Sequence, residues 1–170
     1  FNLNHDKHVE NWYDSYDILL GIQKYFDSIV SLYEKNKSKT GSSKTTEYVK
    51  IHSTEKSGNS IICTSRRSTI LKDQLKNLTV VDIPYYSRYA NQNKTFQIDV
   101  SKLEFINSTA NNVSITSNEI KKLCNLIRSA KDTMINSLTT LYASFIQTLF
   151  DNYIEKLDEI VRFIALVDYS

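Results

Sequence analysis

Few residues of this 170-residue chain have the types and spacing that chemistry requires. His5, Asp6, His8 and Glu10 offer imidazoles and carboxylates to a metal, but two histidines three apart beside Lys7 are the composition of a solvated segment, and a metal site needs converging ligands. His52 precedes Ser53 and Thr54, yet no glycine-rich nucleophile turn accompanies them, so a hydrolytic triad is not indicated. Cys63 and Cys124 are far apart and lack paired spacing. They read as small apolar residues, outside any disulfide framework or metal knuckle, and fit a reducing compartment. Trp12 and the pair Tyr85-Tyr86 have faces on which bases could stack, but aromatics at helical spacing or beside Pro84 more often build core. No GxxxxGK[ST] phosphate loop occurs, so no nucleotide hydrolysis, catalytic group, metal or cofactor is assigned to this chain.

What remains is charge. From Tyr48 to Lys94, Lys50, Lys56, Lys72, Lys76, Lys94, Arg66, Arg67 and Arg88 outnumber Glu55, Asp73 and Asp82 by five, while the rest of the chain is acidic and the total is +2. A basic middle on an acidic remainder makes an anionic partner such as nucleic acid plausible for the middle only. The candidate phosphate contacts are Lys50, Lys56, Arg66, Arg67, Lys72 and Lys76. The competing reading is a solvated lysine-rich surface without an RNP-type aromatic motif.

The elements that must carry these residues are legible from periodicity. With 41% hydrophobic and 24% charged residues the chain can bury a core and is too apolar to be disordered. Its richness in Asn, Lys, Ile, Ser and Tyr reads as nucleotide bias. From Ser117 to about Val167, Ile120, Leu123, Ile127, Met134, Leu138, Leu141, Phe145 and Leu149 recur at steps of three and four. Ile135, Tyr142, Ile146, Phe150, Ile154 and Leu157 form a row beside them. This predicts one helix of roughly 75 Å, capped by Thr116 with Glu119 completing a capping box. Two rows are wider than a coiled-coil seam, so packing against more than one helix is expected, at least one within the chain. Alanine at Phe145 or Ile146 is therefore expected to cost roughly 2 to 5 kcal/mol, and at Gln147 little.

A first helix runs from about His5 to Lys35, with Gly21 its weak point, and should pack antiparallel to the long one. Asn36 to Thr46 reads as an exposed connection. Tyr48 to His52 and Ile61 to Thr64 form a hairpin around Lys56-Ser57-Gly58-Asn59. A short helix follows from Ser68 to Lys76 with Ser68 as cap, then an irregular stretch from Val80 to Lys94. Strands follow at Phe96 to Val100, at Leu103 and Phe105, and at Val113 and Ile115. The fold class is mainly α with a small mixed β insertion: antiparallel helices (1–47 and 117–170) carrying a β-rich head (48–116). No apolar run approaches eighteen residues, so no membrane span is expected.

The segment from Tyr48 to Leu71 (YVKIHSTEKSGNSIICTSRRSTIL) resembles the clamp entry of MutS mismatch-repair proteins. There, strand, glycine turn and strand lead into a basic helix. Phe150 to Val167 (FDNYIEKLDEIVRFIALV) resembles the end of the MutS lever, with Leu157, Asp158, Phe163 and Ala165 at its Leu-Asp, aromatic and small-residue places. Ile98 to Ile106 (IDVSKLEFI) resembles the return from clamp to lever. The resemblance covers nearly the whole chain in order, and its wording is closest to the viral and organellar branch. It implies a fragment, lever and clamp without the mismatch-reading domain or the ATPase domain, with ATP and Mg in the parent only. It also implies double-stranded DNA as partner, a homo- or heterodimeric parent, Arg66 and Arg67 facing the duplex, and an intracellular site of replication or repair (nucleus, organelle or viral factory). The alternative function is a helical stalk that dimerises through its apolar surface.

Overall fold

The computed structural model describes residues 3–37, 47–55 and 58–169. In chain order it forms α1 (Leu3–Lys37), β1 (Val49–Thr54), β2 (Gly58–Thr64), α2 (Ser65–Leu75), β3 (Val80–Ser87) and β4 (Gln92–Asp99). A 3-10 turn (Val100–Lys102), β5 (Glu104–Asn107), β6 (Asn112–Thr116) and α3 (Asn118–Asp168) complete it. Most of the expected Asn36 to Thr46 connection lies outside the described residues. No helix among those described is long and apolar enough to cross a membrane.

The expected mixed sheet is two antiparallel ones, a four-stranded sheet in the order β1-β2-β6-β5 and a β3-β4 ribbon. Alternation fixes the inward face of the larger sheet, where Ile51, Ile61, Ile115 and Phe105 form one rung across all four strands. Gly58 closes the first hairpin at φ +71°, a conformation that costs glycine nothing. The stretch expected to be irregular from Val80 is the ribbon. Val81, Ile83, Tyr85 and Ser87 alternate inward, while exposed Pro84 is tolerated because β3 has a ladder on one side only.

Both sheets are organised by α1. Leu19, Ile22, Phe26 and Val30 are fully buried and share one core with Val49, Ile61, Leu71, Ile83, Ile98, Ile115 and Ile120. Gly21 lets the ribbon lie against this helix: a Cβ there would stand 2.9 Å from Tyr85 Cβ. The weak point of the helix is thus its closest approach to a strand.

Three local expectations are corrected. α2 begins at Ser65, and Ser68 is no cap; its hydroxyl donates back to the Ser65 carbonyl at 2.8 Å. The cap of α3 is Ser117, whose Oγ accepts from Ile120 N–H at 3.2 Å, while Thr116 ends β6. Glu119 forms no capping box and instead accepts from Asp99 N–H at 3.2 Å.

The largest correction concerns the apolar rows of α3. Only Ile120, Leu123 and Ile127 are buried, and every described residue from Leu138 onward is exposed. Trp12 and Tyr16 of α1 lie near Ile127 and Ile135, while Leu19 to Val30 share the core with Ile120 and Leu123, so the helices run antiparallel over the beginning of α3 alone. Phe145 is 57% and Ile146 44% exposed. The rows do not face a core within the described chain because α1 is occupied by the sheets. At ~1.5 Å per residue, the exposed part projects about 50 Å.

Two substitutions test this arrangement. Gly21→Ala should gain up to about 1 kcal/mol of helix propensity yet lose roughly 1 to 3 kcal/mol net, since a strand Cβ cannot swing aside. Phe145→Ala should leave the unfolding free energy of the single chain within about 0.5 kcal/mol. Urea melts at low protein concentration measure both.

Candidate functional site

Three cations of the head, Arg66, Arg88 and Lys94, are engaged by acids of α1. Asp14 and Asp17, one turn apart, meet the ribbon where it turns at Asn91 (φ 52°). Asp17 is 3% exposed and accepts from Arg88 N–H at 2.8 Å and from Arg88 Nε at 2.6 Å. Asp14 accepts from Ser87 Oγ at 2.7 Å and pairs with Lys94 Nζ at 3.4 Å. The Arg88 guanidinium also lies 4.9 Å from the Tyr13 ring centre, a cation–π distance. Further along α1, Asp27 accepts from Tyr48 and Val49 N–H, and Gln23 Nε2 donates to the Val49 carbonyl at 2.6 Å. Sequence reasoning missed these positions. Their signal was Asp14, Asp17, Gln23 and Asp27 set among the apolar residues of the middle of α1.

The six candidate phosphate contacts divide. Arg66 is ion-paired with Glu34 at 3.0 Å, on a side chain still 70% exposed. Arg67 donates to the Tyr48 carbonyl at 3.3 Å and stacks 4.7 Å over the Tyr48 ring, tying α2 to the start of β1. Lys50 is exposed on the outer face of β1, opposite Ile62. Lys56 lies outside the described residues. Lys72, on the last turn of α2, and Lys76, its C-cap, are exposed one turn apart. They border an open groove of about 350 Å³ whose floor includes Leu75, Val100, Leu103 and Phe105, with Ser101 opposite. Lys72 Nζ stands 5.1 Å over the Phe105 ring. The structure thus brings Lys72 and Lys76 together and leaves Lys50 apart on another element.

The other chemical candidates find mostly structural roles. Trp12 stacks on Tyr16 at 5.3 Å, so one face of the indole is covered. Its Nε1 has no hydrogen-bond partner among the described residues. The pair borders a cleft of about 470 Å³ shared with Ser53, Asn59, Arg128 and Lys131. Tyr85 faces α1, whereas Tyr86 is half-exposed and hydrogen-bonded to Asn91. His52 is exposed on β1. The His5 side chain lies outside the described ones, and no cluster of His, Cys, Asp or Glu among the described residues could hold a metal ion. Cys63 is buried and its thiol is pushed up to about 11 by desolvation, against the opposing influence of Arg67. Cys124 is raised for the same reason. Hydrogen bonds from Lys102 and Ser101 hold the Asp99 carboxyl below its ordinary range.

No protein-family model, no curated protein and no solved structure matches this chain.

Asp17→Ala should destabilise the head by about 2 to 4 kcal/mol, because it strands a backbone N–H and a guanidinium, while Asp132→Ala on the surface should cost little. Denaturant melts separate them. For Cys63 the folded state retains its proton above the pH at which the unfolded thiol loses it. Its contribution is therefore full below about pH 9 and declines towards pH 11, by at most ~1.4 kcal/mol per pH unit. Cys63→Ala should flatten that part of the stability profile.

Proposed function

We propose that this chain is the lever and clamp segment of a MutS-type mismatch-repair ATPase. Its head touches the backbone of duplex DNA without reading sequence, and its α3 arm docks on another helical body and carries that body's movement to the head. The observation that supports this reading best is the two-part nature of α3. Its beginning is part of the core through Ile120, Leu123 and Ile127, and its remainder is a continuous exposed helix, so a displacement of the arm cannot be absorbed by a loop before it reaches the sheets. The order of elements, helix, hairpin, basic helix, strands and long helix, supports it too. Nucleotide and Mg would act elsewhere in the parent protein, at a replication or repair site inside the cell.

The DNA contact in this reading centres on Lys72 and Lys76, with Lys50 as an outlying contact, because Arg66 and Arg67 already serve Glu34 and Tyr48. The stalk reading is favoured by the exposed rows of the arm, and it differs in salt dependence. Phosphate contacts weaken steeply with salt, whereas apolar association does not.

Fluorescence anisotropy with matched and mismatched duplexes over a salt series tests the head. Both duplexes should bind alike, at ~10⁻⁴ to 10⁻⁶ M, and Lys72→Ala with Lys76→Ala should flatten the salt slope by about two. Binding indifferent to salt, or unaffected by that pair, rejects the clamp and leaves the stalk.

A further inference from the structure

The exposed part of α3 has an internal period of eleven. Leu138, Leu149 and Ile160 repeat at that interval, as do Tyr142, Tyr153 and Ile164, and the trio beginning at Ile135 continues with Ile146 and Leu157. Eleven residues span three turns at about 3.67 residues per turn, slightly more than the α-helix's own 3.6. Such a stripe stays on one side of a nearly straight helix, with a faint right-handed drift instead of the left-handed coil of heptads. It suits a partner helix of the same period running alongside for the arm's whole length.

Charge selects the partner and its direction. On the basal part of α3, Lys121, Lys122, Arg128 and Lys131 outnumber Glu119 and Asp132. Towards the tip, Asp151, Glu155, Asp158, Glu159 and Asp168 outnumber Lys156 and Arg162. A parallel pair of arms would set like charge on like, whereas an antiparallel pair sets each basic base beside an acidic tip. With a two-fold axis between about Ile146 and Leu149, Arg128 of one copy runs alongside Val167 and Asp168 of the other, and Lys131 lies one turn further in, beside Ile164. Such an interface is isologous and closes at two copies.

Area is sufficient. Fifteen large apolar residues from Ile135 to Ile164 are exposed. At roughly 70 to 100 Å² apiece they offer about 1,050 to 1,500 Å² of apolar surface per copy, against the ~800 Å² per partner of a standard stable interface. We infer that the α3 arm is a self-association surface that pairs two copies of this chain antiparallel through its eleven-residue stripe. This rests on reading the arm as a docking surface and is independent of what the head binds.

Sedimentation of the full chain between about 1 and 100 μM tests the pairing. Two copies should associate within that range, and Ile146→Asp with Leu149→Asp should weaken association at least about a hundredfold. The circular dichroism of the head should survive, since neither residue touches the core. Direction is read by energy transfer in a Cys124→Ala background. Donor on Ser129→Cys copies and acceptor on Tyr169→Cys copies should transfer efficiently, whereas Tyr169→Cys labels on both copies should stand roughly 65 Å apart and transfer poorly. A chain that remains single at 100 μM, an unaffected double variant, or stronger transfer between the two Tyr169→Cys sites overturns the inference. DNA binding measured on the same samples reports separately on the head, so loss of one reading is distinguishable from loss of the other.

Discussion

The structure depends on a helix that is buried and polar at once. α1 sits among both sheets and the start of α3, and Leu19, Ile22, Phe26 and Val30, at steps of three and four, form one buried stripe along it. That stripe sets which side of the helix is inward, but apolar burial is non-directional and leaves the exact rotation loose. Rotation is set by Asp14, Asp17, Gln23 and Asp27, each matched to a backbone or side-chain group that would otherwise be stranded. A buried carboxylate without its partner is far costlier than a misplaced methyl group, so these four residues decide the register in which sheets and helix meet. Gly21, between the two pairs, sets how closely they meet.

The same network reassigns the charge of the head. An excess of cations in the middle of the chain looks like an anion-binding surface when only composition is visible. Two of those cations, Arg88 and Lys94, answer carboxylates of α1, and a third, Arg66, answers Glu34. Basic head and acidic α1 are therefore partly the two halves of one internal electrostatic contact. Among the described residues, what stays available to an outside anion is Lys50 on β1 and a smaller area around Lys72 and Lys76, set over an apolar groove.

Sequence periodicity recovered the hairpin, α2, the later strands and the extent of α3 because each satisfies a rule of its own, alternation of two or of three and four. It missed β3 because Pro84 masks the alternation of Val81, Ile83, Tyr85 and Ser87; what tolerates that proline is the free edge of a two-stranded ribbon, a tertiary fact. Ser117, and not Thr116, caps α3 because β6 claims Thr116 first. The rows on α3 were read correctly as apolar and wrongly as covered from within the chain. Period tells which face seeks a partner, while the supply of partner surface depends on the whole fold, and α1 had already been spent on the sheets. The roles of Arg66 and Arg67 were hidden for a related reason, since their partners lie 32 and 19 residues away in sequence.

The position of α1 also bears on how the chain is made. Its fixing contacts are long in sequence, 71 residues from Asp17 to Arg88 and 80 from Asp14 to Lys94. During synthesis at about 5 to 20 residues per second, α1 would leave the ribosome roughly 4 to 16 seconds before the ribbon that orients it. Throughout that interval the side of α1 around Gly21 lacks Ile83 and Tyr85, although the β1–β2 hairpin has already emerged. Closing of the head is bound to the emergence of Arg88 and Lys94.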